Sequence, residues 1–241
     1  MVNQHHIVIG RIVMDAGKGR KLSNRKDINI MLTEDYIKLD VYRKEITPQI
    51  DKELIENKER ELGIKIPERM AEFYEYYGND KSILCSDFEL CSLEQISITD
   101  SALCFGKINQ GAEKLGIKLE DLDLMSPSIC FKRENETTWF IEEGSSTIFF
   151  FRIVCWQLLM SMNGIAKVEM SDKKFKSLIG NAFNYLNDKK LFLKSPLIPV
   201  IADSVLGCYL VRDGLLYLGT NEEDDVLNEF EEKYDLDLDW L

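Results

Sequence analysis

The sequence predicts an α+β fold, in which a mainly antiparallel β-sheet has helices packed against it, and three observations support this class. Apolar residues recur at helical spacing in several separate stretches of the chain. Between these stretches lie short runs of branched and aromatic residues that are bounded by turn residues, as expected of strands. No internal repeat or low-complexity linker interrupts the sequence, which favours one continuous domain over residues 48–241.

Residues 1–47 predict a β-rich N-terminal extension that precedes this domain. Ile7 to Met14 form an apolar run, and Ile28 to Ile46 alternate well enough between apolar and polar residues for two short strands. The segment between them, Gly17 to Lys26, holds five basic residues and no acidic residue, and is interpreted as a solvated basic turn.

A pair of helices is predicted next. The apolar residues between Ile50 and Leu62 fall on one helical face, and Gly63 follows where a left-handed C-cap is expected. Pro67 is expected at the first position of the second helix, which ends near Gly78. The apolar stripe of this second helix consists of Met70, Phe73, Tyr74 and Tyr77. The two helices are therefore expected to share one apolar seam.

The following stretch predicts an antiparallel meander and a buried helix. The expected strands are Phe88 to Leu93, Ala102 to Ile108, Glu113 to Leu119 and Ile129 to Ile141. Ser145 or Ser146 can then cap a helix that runs to Met162. Because this helix is apolar nearly all round, we expect it to lie between the sheet and another layer.

Three more elements are predicted in the last third of the chain. Phe175 to Leu186 have the periodicity of an amphipathic helix, and Leu197 to Tyr217 hold strands joined by a hairpin turn at Arg212-Asp213-Gly214. Thr220 and Glu223 form a capping-box pattern before a helix whose apolar stripe is Val226, Leu227, Phe230 and Tyr234. Aspartates alternate with apolar residues in the tail that follows.

The charge of the chain is strongly acidic and unevenly distributed. There are 42 acidic and 30 basic residues, a formal net charge of −12, and residues 201–241 hold 12 of the acids but only two of the bases. A net negative surface repels phosphates, which argues against direct binding of nucleic acid through bulk charge. The run Glu222, Glu223, Asp224 and Asp225 lacks the spacing and central glycine of an EF-hand loop, and suits the positive N-terminus of a helix better.

No catalytic, metal or cofactor site is predicted. The two histidines, His5 and His6, stand at the N-terminus, where they are not expected to join a Ser-His-Asp or Cys-His constellation or a zinc site. Gly17 to Lys21 lack the glycine spacing of a phosphate-binding loop. Paired carboxylates such as Glu142 and Glu143 arise by coincidence in so acidic a chain. We therefore expect a protein that is not an enzyme and needs no cofactor.

The sequence also predicts a cytoplasmic protein outside the membrane. No secretory signal is recognised at the N-terminus. The most apolar stretch, Thr147 to Met162, is shorter than the roughly 20 residues needed to cross a bilayer and contains Arg152 and Gln157. The six cysteines include no C-x-x-C pair and are interpreted as reduced core residues.

Several segments, taken in order, match the pattern of one known family. Glu61 to Glu68 read Glu-Leu-Gly-Ile-Lys-Ile-Pro-Glu, and Phe73, Tyr77 and Gly78-Asn79 follow them. The later segments in the pattern are the strand and L-x-x-I segment of Phe88 to Ile96, the strand pair with Asn-Gln-Gly in Leu103 to Leu122, Trp139, and the helix of Phe149 to Leu159. Over roughly Ile50 to Tyr185 the chain resembles the SUKH superfamily, which comprises Smi/Knr-type cell-wall-assembly regulators and bacterial immunity proteins.

This resemblance implies a SUKH-like domain and a bacterial immunity protein. Such a protein works in the cytoplasm without catalysis, and binds and neutralises a cognate polymorphic toxin domain, for example a nuclease with a basic cleft. The alternative is an intracellular regulatory or scaffold protein of the Smi/Knr type with no toxin partner, and the sequence does not separate the two. The oligomeric state also stays open.

The expected binding face is the exposed side of the sheet with its adjoining turns, and the acidic C-terminal helix and tail are expected to act as an electrostatic handle. The candidate partner-binding residues are Asn109, Gln110, Trp139, Glu142 and Glu143 on the first surface, and Glu222, Glu223, Asp224 and Asp225 on the second.

Overall fold

A computed structural model describes residues 32–85, 88–108, 111–143, 145–186, 197–223 and 225–241. Contacts divide the chain into Met1–Ile30 and Met31–Leu241, and all described residues belong to the second unit. The α-helices of the described part are α1 (Leu32–Leu39), α2 (Lys52–Leu62), α3 (Glu68–Tyr77), α4 (Lys81–Leu84), α5 (Ser146–Met160), α6 (Asp172–Leu178) and α7 (Asp225–Tyr234).

The strands form two antiparallel sheets. The first sheet has the order β1-β3-β4-β5-β6, with β2 also paired to β3, and the second has the order β12-β7-β11-β10-β9-β8. The first sheet contains β1 (Glu89–Leu90), β2 (Ser97–Thr99), β3 (Ala102–Ile108), β4 (Glu113–Lys118), β5 (Ile129–Arg133) and β6 (Phe140–Glu143). The second contains β7 (Gly164–Glu169), β8 (Asn184–Tyr185), β9 (Leu197–Ala202), β10 (Val205–Leu210), β11 (Leu215–Thr220) and β12 (Asp239–Trp240). The predicted α+β class with antiparallel strands is confirmed.

Helix α5 lies at the centre of the described unit. Phe150 stacks on Phe73 of α3, with 5.0 Å between ring centroids, and its ring also lies 5.3 Å from that of Phe105 in the first sheet. Six residues later, Trp156 meets Tyr217 of the second sheet edge to face at 5.2 Å. The sequence expectation that this nearly all-apolar helix is covered on both sides is therefore confirmed.

A buried amide fixes α5 against the first sheet. The Gln157 side chain is fully buried; its Nε2 donates to the carbonyls of Ile83 and Phe88 at 3.0 and 2.8 Å, and its Oε1 accepts from the Phe88 amide at 3.2 Å. A buried amide is stable only with such partners. Gln157 thus joins α5 to the chain just before β1.

The face of the second sheet opposite α5 is covered by α6, α7 and the tail. Phe175 of α6 stacks on Tyr209 at 4.0 Å, and Leu227 of α7 joins the same apolar cluster. Leu236 and Leu238 of the tail are also buried in it, while Asp235, Asp237 and Asp239, which alternate with them, are exposed. The predicted apolar stripe of α7 and the alternation of the tail are confirmed by this packing.

The helical pair and the caps at Gly63 and Ser145 were predicted correctly. Asp51 caps α2 by accepting from the Glu53 amide, and Gly63 ends α2 with φ 68°, a left-handed conformation that favours glycine. Pro67 directly precedes α3, one position before the expected one. Ser145 caps α5 by accepting from the Ile148 amide.

The strands predicted between Ile28 and Ile46 are wrong for the described residues, where α1 and a 3-10 helix (Asp40–Tyr42) occur. Tyr36 and Leu39 are fully buried, and the Tyr36 ring meets that of Tyr77 at 5.1 Å. Aromatic packing against α3 and α5 thus overrides the apparent alternation, and this part of the predicted β-rich extension is helical. Residues 1–31 of that extension lie outside the described residues.

Three other predictions need correction. The helix predicted over Phe175 to Leu186 ends at Leu178, because Gly180 has φ 82° and the chain turns there towards β8. Thr220 is not the cap of α7: it ends β11, is fully buried, and its Oγ1 accepts from the Glu222 amide at 3.1 Å. The single strand expected over Ile129 to Ile141 is two strands, β5 and β6. Strand β7 was not predicted at all.

Candidate functional site

The structure describes some of the predicted partner-binding residues and leaves out others. Asn109, Gln110 and Asp224 lie outside the described residues. Glu143 is the last residue of β6, and Glu142 is the extra residue of a bulge, because Cys130 pairs with Ile141 and Ile129 with Glu143. The remaining candidates fall on two separate surfaces. Trp139 lies on the first sheet, and Glu222, Glu223 and Asp225 lie at the start of α7.

Trp139 packs on the lysine-bearing side of the first sheet, against Gly116. A Cβ placed on Gly116 of β4 would lie 3.1 Å from both Cη2 and Cζ3 of the indole, so the glycine makes room for the ring. Gly116 pairs with Cys104 of β3 and Cys130 of β5 in one cross-strand row, and such partners share a face. The indole starts just before β6 and reaches β4, so it crosses β5 at this row. We call this surface the tryptophan face; its residues are Cys104, Lys107, Lys114, Gly116, Lys118, Cys130, Lys132 and Trp139.

The hairpin between β2 and β3 holds the indole in place. Trp139 Nε1 donates to the Asp100 carbonyl at 3.0 Å, and Lys132 Nζ donates to the Asp100 carboxylate at 2.5 Å. The lysine hydrogen bond lowers the pKa of Asp100. Asp100 and Ser101 have φ of 51° and 61°, as the two central residues of a type I′ turn require. Two non-glycine residues in this conformation make a turn whose carbonyl is aimed at the tryptophan.

The tryptophan face carries one aromatic ring and four lysines, and three of these lysines lie close to carboxylates. Lys118 lies 3.7 Å from Glu120, Lys107 lies 4.0 Å from Glu89, and Lys132 is paired with Asp100. Burial raises the pKa of the Cys104 and Cys130 thiols, which keeps them in the unreactive protonated form. The arrangement therefore suits contact with an apolar or planar group and offers no activated thiol.

The second surface is acidic and extends from the end of β11 to the tail. We call it the acidic surface; its exposed carboxylates are Glu222, Glu223, Asp225, Glu229, Glu232, Asp235, Asp237 and Asp239. Lys167 lies 3.3 Å from Asp239, and Lys174 Nζ donates to the Asp235 carbonyl at 3.0 Å. So many carboxylates close together attract a positively charged partner over a distance of about a Debye length.

Trp240 stands at the edge of this acidic region. It lies in β12, which pairs with β7 at the margin of the second sheet, and remains 41% exposed. An exposed tryptophan with a polar surround is typical of the residues that dominate binding energy at protein interfaces. Sequence reasoning did not select it. The signal was available in the alternation of aspartate with leucine and tryptophan in the tail.

Two general features of the described residues bear on chemistry. No group of three or more His, Cys, Asp or Glu side chains in the described ranges is placed to hold a metal ion. Among the described helices, none combines the length and apolar character needed to cross a bilayer.

The chain was compared with known protein families, curated proteins and solved structures. The chain matches no protein-family model, no curated protein and no solved structure.

Proposed function

We propose that this chain is a cytoplasmic immunity protein that neutralises a cognate toxin domain by binding it. The observation that carries the proposal is the acidic surface, a set of exposed carboxylates on α7, the segment before it and the tail. The resemblance of Glu61 to Glu68 and the later segments to the SUKH superfamily supports the same function. The partner is a protein, and the chain acts by association without a catalytic step or cofactor.

Electrostatic attraction explains how such a surface would serve neutralisation. A toxin that cleaves nucleic acid needs a basic cleft, and an acidic surface on the immunity protein would be drawn to that cleft and cover it. Fast association matters because the toxin must be captured before it acts. Steering by charge raises association rates by about 10-fold to 1000-fold at low ionic strength. Trp240 would supply apolar contact area beside the charges.

The test is coexpression of the full chain with the toxin domain encoded beside it. Survival of the host cells, followed by copurification of a stoichiometric complex, is the expected result. Survival without a complex would contradict neutralisation by binding. Loss of rescue, or a neighbouring gene that encodes no toxic domain, would favour the Smi/Knr-type regulator instead.

A charge-reversal experiment tests the role of the acidic surface. The double variant Glu229→Lys and Glu232→Lys should slow association with the toxin by on the order of tenfold at low salt, and should flatten the dependence of the rate on salt. The control is Glu45→Lys with Glu56→Lys, which changes the net charge equally at exposed positions outside α7. Equal slowing in both variants would show that only total charge matters.

A further inference from the structure

The edge of the first sheet carries apolar side chains that ordinary edge strands avoid. Strand β6 ends the strand order, and no strand of the described residues pairs with its far side. Phe140 is 41% exposed and Ile141 is 65% exposed. Edge strands are normally protected from further pairing by lysine, proline or a bulge. From Glu134 to Glu143 there is no Lys, Arg or Pro, and the bulge at Glu142 affects only the C-terminal end of β6.

The two exposed side chains lie on opposite faces of the edge. Ile141 shares its cross-strand row with Cys130, on the tryptophan face, whereas Phe140 pairs with Phe131 and stacks on its ring at 5.5 Å. A strand added beside β6 would therefore find an apolar neighbour on each face. Within Trp139 to Ile141, alternate residues would turn their N–H and C=O groups to the added strand and supply main-chain hydrogen bonds.

The charged residues around β6 indicate which kind of segment would bind at this edge. The apolar centre, Trp139 to Ile141, lies between Glu134 and Glu136 on one side and Glu142 and Glu143 on the other. Glu136 is paired with Arg133 at 3.0 Å. A second copy of this chain would bring the same glutamates and the same net charge of −12, which disfavours self-pairing. A segment with an apolar centre and basic flanks is complementary.

We propose that β6 accepts an extended segment of the partner protein, apolar in the middle and basic at its ends, as an additional strand of the first sheet. Strand addition of this kind draws its affinity from main-chain hydrogen bonds and its specificity from alternate side chains. The inference rests on the proposed function and names the binding mode of the partner, which adds a second contact region to the acidic surface.

The experiment uses a synthetic peptide, Lys-Lys-Thr-Val-Tyr-Val-Thr-Lys-Lys, and the full chain. Fluorescence anisotropy of the labelled peptide measures affinity, and hydrogen-deuterium exchange measures protection of the Trp139–Ile141 amides. Saturable binding with new protection of these amides is expected. Absence of saturable binding, or binding without this protection, would overturn the proposal. Equal affinity for a peptide with Glu in place of every Lys would overturn the choice of basic flanks.

Two variants and a control connect the peptide to β6. Ile141→Lys introduces the charge that protects natural edges, and should weaken peptide binding by about tenfold or more. Phe140→Thr should weaken it in the same direction, and replaces Ile141→Lys if that variant fails to fold. Leu54→Lys is the control, since Leu54 is also an exposed apolar residue, 54% exposed, but lies on α2. Equal binding by Ile141→Lys and the wild type would refute the site.

Two further measurements identify the occupant and separate this inference from the proposed function. A dimer in sedimentation equilibrium that Ile141→Lys dissociates would show that the occupant is a second copy, and would overturn the assignment to a partner. Rescue from the toxin by the wild type and equally by Ile141→Lys would keep the immunity function and reject strand addition. Failure of the wild-type chain to rescue cells from the toxin would instead reject the proposed function.

Discussion

Replacing Trp139 with alanine tests whether the tryptophan face is an ordered surface. The half-buried indole covers Gly116 and donates one hydrogen bond to Asp100. Full burial of a tryptophan is worth about 3–5 kcal/mol against alanine, and roughly half of that applies here. The hydrogen bond adds little, because the Asp100 carbonyl can bond to water once the indole is gone. The free energy of unfolding should therefore fall by about 2 kcal/mol.

Urea denaturation measures this loss, and thiol labelling shows where it arises. The Cys130 side chain is 1% exposed and shares a cross-strand row with Gly116, which the indole contacts, so Trp139→Ala should make its thiol accessible to an alkylating reagent. Trp139→Phe keeps part of the apolar side chain and should lose less stability. Trp240→Ala removes an exposed tryptophan elsewhere and should leave Cys130 labelling unchanged. A loss below about 0.5 kcal/mol, together with unchanged labelling, would refute the packing of Trp139 on the sheet.

Two other predictions concern the core and the effect of pH. Gln157→Leu removes three hydrogen bonds to the backbone of Ile83 and Phe88. At about 1 kcal/mol for each bond, the free energy of unfolding measured in urea should fall by about 3 kcal/mol. A loss below about 1 kcal/mol would contradict this role of Gln157. Burial raises the pKa of Tyr42 from 10.0 to about 12, and its hydroxyl donates to the Asp203 carbonyl. Because the unfolded tyrosine ionises first, stability should decline as pH rises from about 10 to about 12, and Tyr42→Phe should show a shallower decline.

Local signals in the sequence were sufficient for the elements that begin and end with clear caps. Gly63 and Ser145 each mark a helix boundary through backbone geometry or a hydroxyl group, and both boundaries were predicted correctly. The wrong C-terminal boundary of α6 also concerns a local signal. Gly180 is a stop signal, but the apolar periodicity of Phe175 to Leu186 continues past it and predicts a longer helix than the one that forms. At this position the glycine, and not the apolar periodicity, determines where the helix ends.

The parts that could not be predicted depend on contacts between distant residues. Helix α1 forms where Tyr36 packs against Tyr77, which is 41 positions away in the chain. The contact of Trp139 with Gly116 needs the indole to cross a strand, and no spacing within the sequence indicates it. Trp139 was selected as a candidate through the family resemblance, and the surface around it could be seen only once the strand register was known.

The position of the acidic surface makes binding and stability separable. Its carboxylates are exposed and lie close together, so they contribute little through ion pairs and repel one another. The double variant Glu229→Lys and Glu232→Lys should therefore be at least as stable as the wild type in urea, whereas the proposed function predicts that it associates more slowly with the partner. A protein that keeps mutually repelling charges in one place gives up stability for them, which is expected when a partner supplies the compensating charge. Clear destabilisation of the double variant would show instead that these acids support α7.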